Sequence, residues 1–164
     1  AMLMKVFPHG TGEGDKPSRY LVRPDYPGRD TAPPQILRGD LAMTRALIDS
    51  IERRWKFTSG ALSWHPNDKV SEEQEEEVMD AFERVAFAGL EADQRNILWV
   101  RHTHAGHHEL HFLIPRLELS SGKDFNACPP GWQKDFDVFR DLFNWREGWA
   151  RPDDPGKGRA SEKS

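Results

Sequence analysis

Five of the chain's seven histidines lie within residues 99–115, beside a single carboxylate, Glu109. Strand side chains alternate between faces, so Glu109, His111 and Leu113 share one face of this segment while Leu110, Phe112 and Ile114 share the other. The second set is a core face, and the first offers ligands. His102 ends the apolar run at residues 97–100, and a turn at Gly106 folds that strand back antiparallel to the next. His102, Glu109 and His111 then converge across two neighbouring strands. A carboxylate with two imidazoles and no nearby cysteine suits a borderline divalent cation with open positions for water or phosphate oxygens, the arrangement of a catalytic rather than a structural site. The same residues also suit the wet face of a hairpin that binds nothing, and spacing alone does not separate these readings.

The elements that must position this hairpin are legible in outline. Residues 2–7 read as a first strand and residues 8–17, with three glycines, as a loop that Tyr20 closely follows. Asp40 is placed to cap a helix running to about Arg54, with Leu41, Ala46, Leu47 and Ile51 on its apolar side. A strand at residues 57–64 follows. Ser71 and Gln74 form a capping box for a second helix, whose Val78, Phe82 and Val85 recur at spacings of four and three. Residues 116–119 extend the hairpin, residues 120–123 turn, and a last helix over residues 132–145 buries Phe136, Phe139 and Phe143. The order predicts an α+β domain, with a central antiparallel sheet, helices on one face and the metal or DNA site on the other. Residues 2–150 form the expected domain. Residues 151–164, rich in Pro, Gly, Lys and Ser, read as a flexible tail at which a longer protein has been cut.

At 164 residues the chain is the size of one domain and can bury one real core. Six Trp and nine Phe within a 37% hydrophobic composition exclude wholesale disorder. No apolar run approaches the roughly 20 residues of a membrane span, and no signal peptide is visible, so a cytoplasmic protein is expected. The lone Cys128 has no disulfide partner and reads as a small filler. The net charge of -4 is concentrated in residues 61–100, above all in the acidic first turn after Ser71, so it leaves room for a basic substrate groove elsewhere.

Several motifs together resemble one family. His102, six residues, then Glu109-Leu110-His111-Phe112 is similar to the His-Glu-Asn metal motif of MobA-type relaxase domains in the mobilisation proteins of colicin-type plasmids. Further resemblances are Phe7-Pro8-His9-Gly10-Thr11-Gly12, Tyr20-Leu21, Leu37-Arg38-Gly39-Asp40, Thr58-Ser59-Gly60, Asn96-Ile97-Leu98-Trp99-Val100, Pro115, Ser121-Gly122-Lys123 and Phe125-Asn126. Two departures stand out: His111 replaces the family's usual Asn, and the loop between the ligands carries His107 where a Gly-Arg is common. The resemblance implies a fold like that of the HUH relaxases and an enzyme that nicks single-stranded DNA at a plasmid transfer origin. It implies Tyr20 as nucleophile, a 5′-phosphotyrosyl intermediate, reversible joining, and a divalent metal, Mg2+ or Mn2+, on His102, Glu109 and His111. Accessory mobilisation proteins are the expected partners. His104, His107 and His108 are then expected around the ligands, on phosphate, or simply at the surface. Lys16, Arg19, Arg23, Arg101 and Arg116 are candidates for a single-strand groove, against the plain alternative of scattered surface charge. A metal-dependent nuclease using water, and a DNA-binding module without turnover, are the competing readings.

Overall fold

The computed structural model describes residues 1–149; the expected tail at 151–164, and the last residue of the expected domain, lie outside the described residues. Among the described residues, five strands and four α-helices follow one another: β1 (Met2–Val6), α1 (Asp15–Val22), β2 (Gln35–Arg38), α2 (Leu41–Ser50), β3 (Phe57–Trp64), α3 (Glu72–Ala86), β4 (Leu98–His102), β5 (Glu109–Pro115) and α4 (Trp132–Glu147), with a short 3-10 turn at Ala92–Gln94 before β4. The strands form one fully antiparallel sheet in the order β1-β3-β5-β4-β2. Only β4 and β5 are joined by a hairpin. The other pairings are crossovers, each made by a helix-bearing segment. The expected α+β class and antiparallel sheet are what the structure has.

Register sets the two faces. Phe112 pairs with Trp99 on β4 and Gly60 on β3, and Leu110 pairs with Leu62. That face carries the main core, where Val78, Met79 and Phe82 of α3 meet Phe136, Phe139 and Phe143 of α4. The Phe82 ring touches four others, with centroids 4.6 Å from Phe112, 5.0 Å from Trp99, 5.1 Å from Phe136 and 6.3 Å from Phe139. Ser71 accepts from the Gln74 N–H at 3.1 Å, and the Gln74 side chain accepts from the Ser71 N–H at 2.8 Å, completing the predicted capping box. Asp40 caps α2 through the Met43 N–H at 2.7 Å. Cys128 is buried in the same core, which pushes its thiol up to about 12 and leaves it a packing residue.

The opposite face is not bare. Leu98, Val100 and Leu113 are covered by Leu21 of α1 and Ile48 of α2 in a second, smaller core. The sequence reading did not foresee α1, since eight residues with mostly polar side chains show little periodicity. Pro17 sits in its first turn, where the missing N–H costs nothing. Gly14 starts it, donating to Asp49 Oδ1 at 2.8 Å, and a Cβ at Gly14 would lie 2.9 Å from the Arg45 carbonyl oxygen and 3.0 Å from Ile48 Cβ. A glycine is therefore what lets α1 approach α2.

Three other boundaries differ. β2 is a four-residue edge strand with a register shift between Ile36 and Arg38, too short to announce itself. α2 stops at Ser50 rather than near Arg54, because Ile51 turns extended and buries its side chain. Residues 116–119 do not extend β5: Arg116 N–H still reaches the Lys56 carbonyl, but Leu117 N–H turns back to the Pro115 carbonyl and ends the ladder. Among the described residues no helix is long and apolar enough to cross a membrane.

Candidate active site

Antiparallel register brings the three predicted ligands together. His102 pairs directly with Glu109, and His111 sits two residues on, opposite Val100. One ligand atom from each of His102, Glu109 and His111 lies within 4.8 Å of the others. Donors bonded at about 2.0–2.2 Å to one ion can stand at most roughly twice that apart, so small side-chain adjustments suffice to close on a cation. The donor set, two imidazoles and a carboxylate, fits a borderline divalent metal.

The charge states suit ligation. His102 is 1% exposed, and its Nε2 lies 2.8 Å from the Leu21 carbonyl oxygen at the end of α1. A carbonyl only accepts, so Nε2 carries the proton and Nδ1 keeps the lone pair. Burial, reinforced by the neighbouring His111, pushes the His102 imidazole down to about 4 and keeps it neutral. Burial alone would raise the Glu109 carboxyl, but hydrogen bonds and charge from His111 and His107 outweigh it and bring it down to about 2. Its two oxygens are shared out, Oε1 to His111 Nε2 at 2.9 Å and Oε2 to His107 Nε2 at 2.7 Å. His107 thus supports the carboxylate, and His104 stands beside His102 with ring centroids 5.3 Å apart.

Tyr20, on α1, is 43% exposed. A small, mostly apolar pocket of about 70 Å³ has Tyr20, Phe7, Gly60, His111 and Leu113 in its walls. Burial raises the Tyr20 phenol above its ordinary value, the Tyr26 hydroxyl adds to the rise by charge and hydrogen bond, Arg29 opposes it, and Glu109 raises it slightly further. The Tyr20 and Tyr26 rings meet edge to face at 5.5 Å, and Tyr26 meets His104 in the same way at 5.8 Å.

Not every predicted residue joins this group. Arg101 and His108 are one residue away from His102 and Glu109, so alternation turns them to the opposite face. There Glu75 of α3 accepts from Arg101 at 2.6 and 2.7 Å and pairs with His108 Nε2 at 2.6 Å. Burial alone would raise the Glu75 carboxyl; its bonds to Arg101 and His108 outweigh that and hold it below the usual carboxylate range. Arg116 follows the far end of β5 and is held by Asp124 at 2.7 and 3.0 Å. Lys16 and Arg19 are exposed on the helix that carries Tyr20, and Arg23 lies 5.9 Å from the Tyr26 ring, paired with Asp25. Arg29 is the residue sequence reasoning missed. It follows Gly28 in a Pro-Gly turn that reads as surface loop, yet it is fully buried beneath both tyrosines. Gly28 itself takes φ +84° and lies so close that a Cβ would stand 3.0 Å from the His104 carbonyl oxygen, which docks this turn onto the β4–β5 hairpin.

Comparison with known proteins gives the class. Residues 34–144 match the relaxase family model described as the MobA/VirD2-like nuclease domain, and the chain belongs to that family. Its enzyme class is DNA relaxase; relaxases act on DNA, and this family generally uses a divalent metal ion. More particularly, the chain is 40% identical over 159 residues to cryptic plasmid protein C of Neisseria gonorrhoeae, covering 95% of this chain and 75% of that protein. It is 34% identical over 159 residues to the DNA relaxase MbeA of Escherichia coli, covering 96% of this chain and 30% of MbeA, so it spans less than a third of that relative's length. No solved structure matches the chain.

Proposed function

We propose that this domain nicks a single DNA strand at a plasmid transfer origin, with Tyr20 as nucleophile and with His102, Glu109 and His111 holding a divalent cation, Mg2+ or Mn2+. The observation that carries the reading is that Tyr20 and His111 line one pocket, with Glu109 close enough for its charge to act on the Tyr20 phenol. In nicking, Tyr20 Oη forms a bond to the scissile phosphorus while the bond from phosphorus to the 3′-oxygen breaks. The phenol loses its proton and the departing oxygen gains one, leaving a 5′-phosphotyrosyl strand and a free 3′-hydroxyl. Rejoining runs the same step backwards, with the phenol as leaving group.

A phenol titrating near ~10 is a weak nucleophile at neutral pH and needs charge stabilisation nearby. When bound, the cation supplies positive charge beside the phosphate oxygens on which negative charge builds. The chain's own residues orient the site. The Leu21 carbonyl fixes the His102 ring, and His107 ties down the second oxygen of Glu109. Lys16, Arg19 and Arg23 lie on or next to the Tyr20 helix, where they can meet the phosphates of the entering strand. Phe7 and Tyr26 are each 37% exposed and offer ring faces to unpaired bases. Accessory mobilisation proteins complete the proposed assembly at the origin.

The test is incubation with an origin-strand oligonucleotide and Mn2+, a denaturing gel, and mass spectrometry of any covalent product. An adduct mapping to Tyr20 and absent from Tyr20→Phe is expected. Cleavage that leaves a free 5′-phosphate and no adduct would identify water as nucleophile, and an adduct on Tyr26 would reassign the nucleophile.

A further inference from the structure

Arg29 is 0% exposed, and among the described residues no carboxylate pairs with it. Its Nη1 donates to two carbonyls, Tyr20 O at 2.5 Å and Arg23 O at 3.0 Å, while its buried Nε and Nη2 have no hydrogen-bond partner. The guanidinium carbon lies 5.1 Å from the Tyr20 ring centroid and 4.7 Å from that of Tyr26. A guanidinium does not lose its proton in a protein, so this is a permanent charge removed from water. Burial of that kind is costly, and here only two carbonyls and two ring faces offset it.

The two carbonyls belong to the last turn of α1 and the residue that caps it, where a cation complements the helix end. They are also the backbone of Tyr20 and of the chain leaving it. The rings above the guanidinium are the nucleophile and its edge-to-face neighbour. No carboxylate is within ion-pair reach, although Asp25 feels the charge from further off, and the buried guanidinium acts on the Tyr20 phenol from beneath a partly exposed ring.

We propose that Arg29 is a positioning residue for the nucleophile, clamping Tyr20 by its backbone and its ring and presenting a charge without an ion-pair partner that favours the phenolate. The inference rests on Tyr20 being the nucleophile. The phenolate is the attacking form in nicking and the leaving group in rejoining, so one fixed cation assists both directions of a reversible step. The other titratable groups facing the Tyr20 phenol are Tyr26 and Glu109, and Arg29 is the one that favours its ionisation.

The chain has only two tyrosines, so Tyr26→Phe leaves Tyr20 as the sole phenol and its ionisation can be followed by tyrosinate absorbance. In that background, Arg29→Met is expected to raise the Tyr20 midpoint by about one pH unit, the lower end of the effect of a charge a few ångströms away, while Arg29→Lys stays within about 0.3 of the parent. With Tyr26 restored, adduct formation on the origin oligonucleotide should fall at least about tenfold at pH 7 in Arg29→Met, since ~1 unit of pKa is tenfold in phenolate. That deficit should narrow as the pH approaches the phenol's midpoint. A midpoint that does not move, or a deficit equal at every pH, overturns the charge role. If circular dichroism shows Arg29→Met unfolded, Arg29→Lys decides: it keeps the charge but not the two-carbonyl fork, so slower adduct formation at every pH is expected and the parental rate overturns the clamp. Persistent adduct in Tyr20→Phe would instead sink the nucleophile assignment, whatever the Arg29 variants do.

Discussion

At the scale of single residues, the site is held together by shared carboxylate oxygens. Glu109 serves His111 and His107, and on the other face Glu75 serves Arg101 and His108. The two clusters lie one residue apart on the same strands and answer different questions. In the first, His111→Asn is expected to keep nicking within roughly tenfold, because the amide can still offer an oxygen to the cation, whereas His111→Ala loses it. Nicking rates against Mn2+ concentration check this, and an inert Asn variant with normal Mn2+ binding would assign His111 a role other than ligation. In the second, Arg101→Met should leave single-strand affinity unchanged while Lys16→Ala and Arg19→Ala weaken it with a reduced salt slope. Glu75→Gln should cost about 3 kcal/mol in thermal denaturation, since it leaves Arg101 without its charge partner in a largely buried setting. The folded-state pKa of Glu75 is depressed, so its stabilisation is fully present above the unfolded value of about 4.3 and is lost as pH falls from there through the lower folded-state value. Acid-unfolding curves of the parent and of Glu75→Gln should therefore draw together as the pH falls below the unfolded value and meet once it has passed the lower folded-state value.

At the scale of elements, α1 is the piece on which the proposed chemistry turns. Eight residues long, it carries Tyr20, covers Leu98 and Leu113 through Leu21, and supplies the carbonyl that orients His102. Its seat depends on the close approach at Gly14. Gly14→Ala should therefore push α1 off α2, costing about 1–3 kcal/mol by overpacking. Adduct formation should fall by more than that stability loss explains, because the helix moves Tyr20 relative to the ligands. A Gly14→Ala protein with parental melting temperature and parental adduct rate would show that α1 is seated by other contacts. β4 and β5, by contrast, each have a strand on both sides, so the proposed ligands stand on a well-braced part of the sheet.

At the scale of the whole molecule, the two faces divide the labour. The aromatic core under α3 and α4 supplies cohesion, and the face under α1 and α2 carries the candidate site. Phe82→Ala removes a ring that touches four others and should cost about 3–5 kcal/mol, read as a single cooperative melting transition at lower temperature. Metal affinity at temperatures where this variant is folded should match the parent, since the ligands lie on the other face.

Much of this was decided by local sequence. Capping of α2 and α3 depends on residues three apart, and the alternation of β5 depends on neighbours, so Asp40, Ser71 with Gln74, and the Glu109–His111 face were all legible. Arg101 and His108 were expected in the groove and around the ligands, but each is one residue off the ligand face, and the structure pairs both with Glu75 on the other side. What the sequence could not decide was long-range. The crossovers that put β3 beside β5, the short α1 held by tertiary contact, and the burial of Arg29 under two tyrosines depend on groups far apart in the chain, and a Pro-Gly turn with an arginine looks like any surface loop. A local pattern records the periodicity of one element; which elements meet, and what charge is thereby removed from water, is set only when the sheet closes and the helices dock.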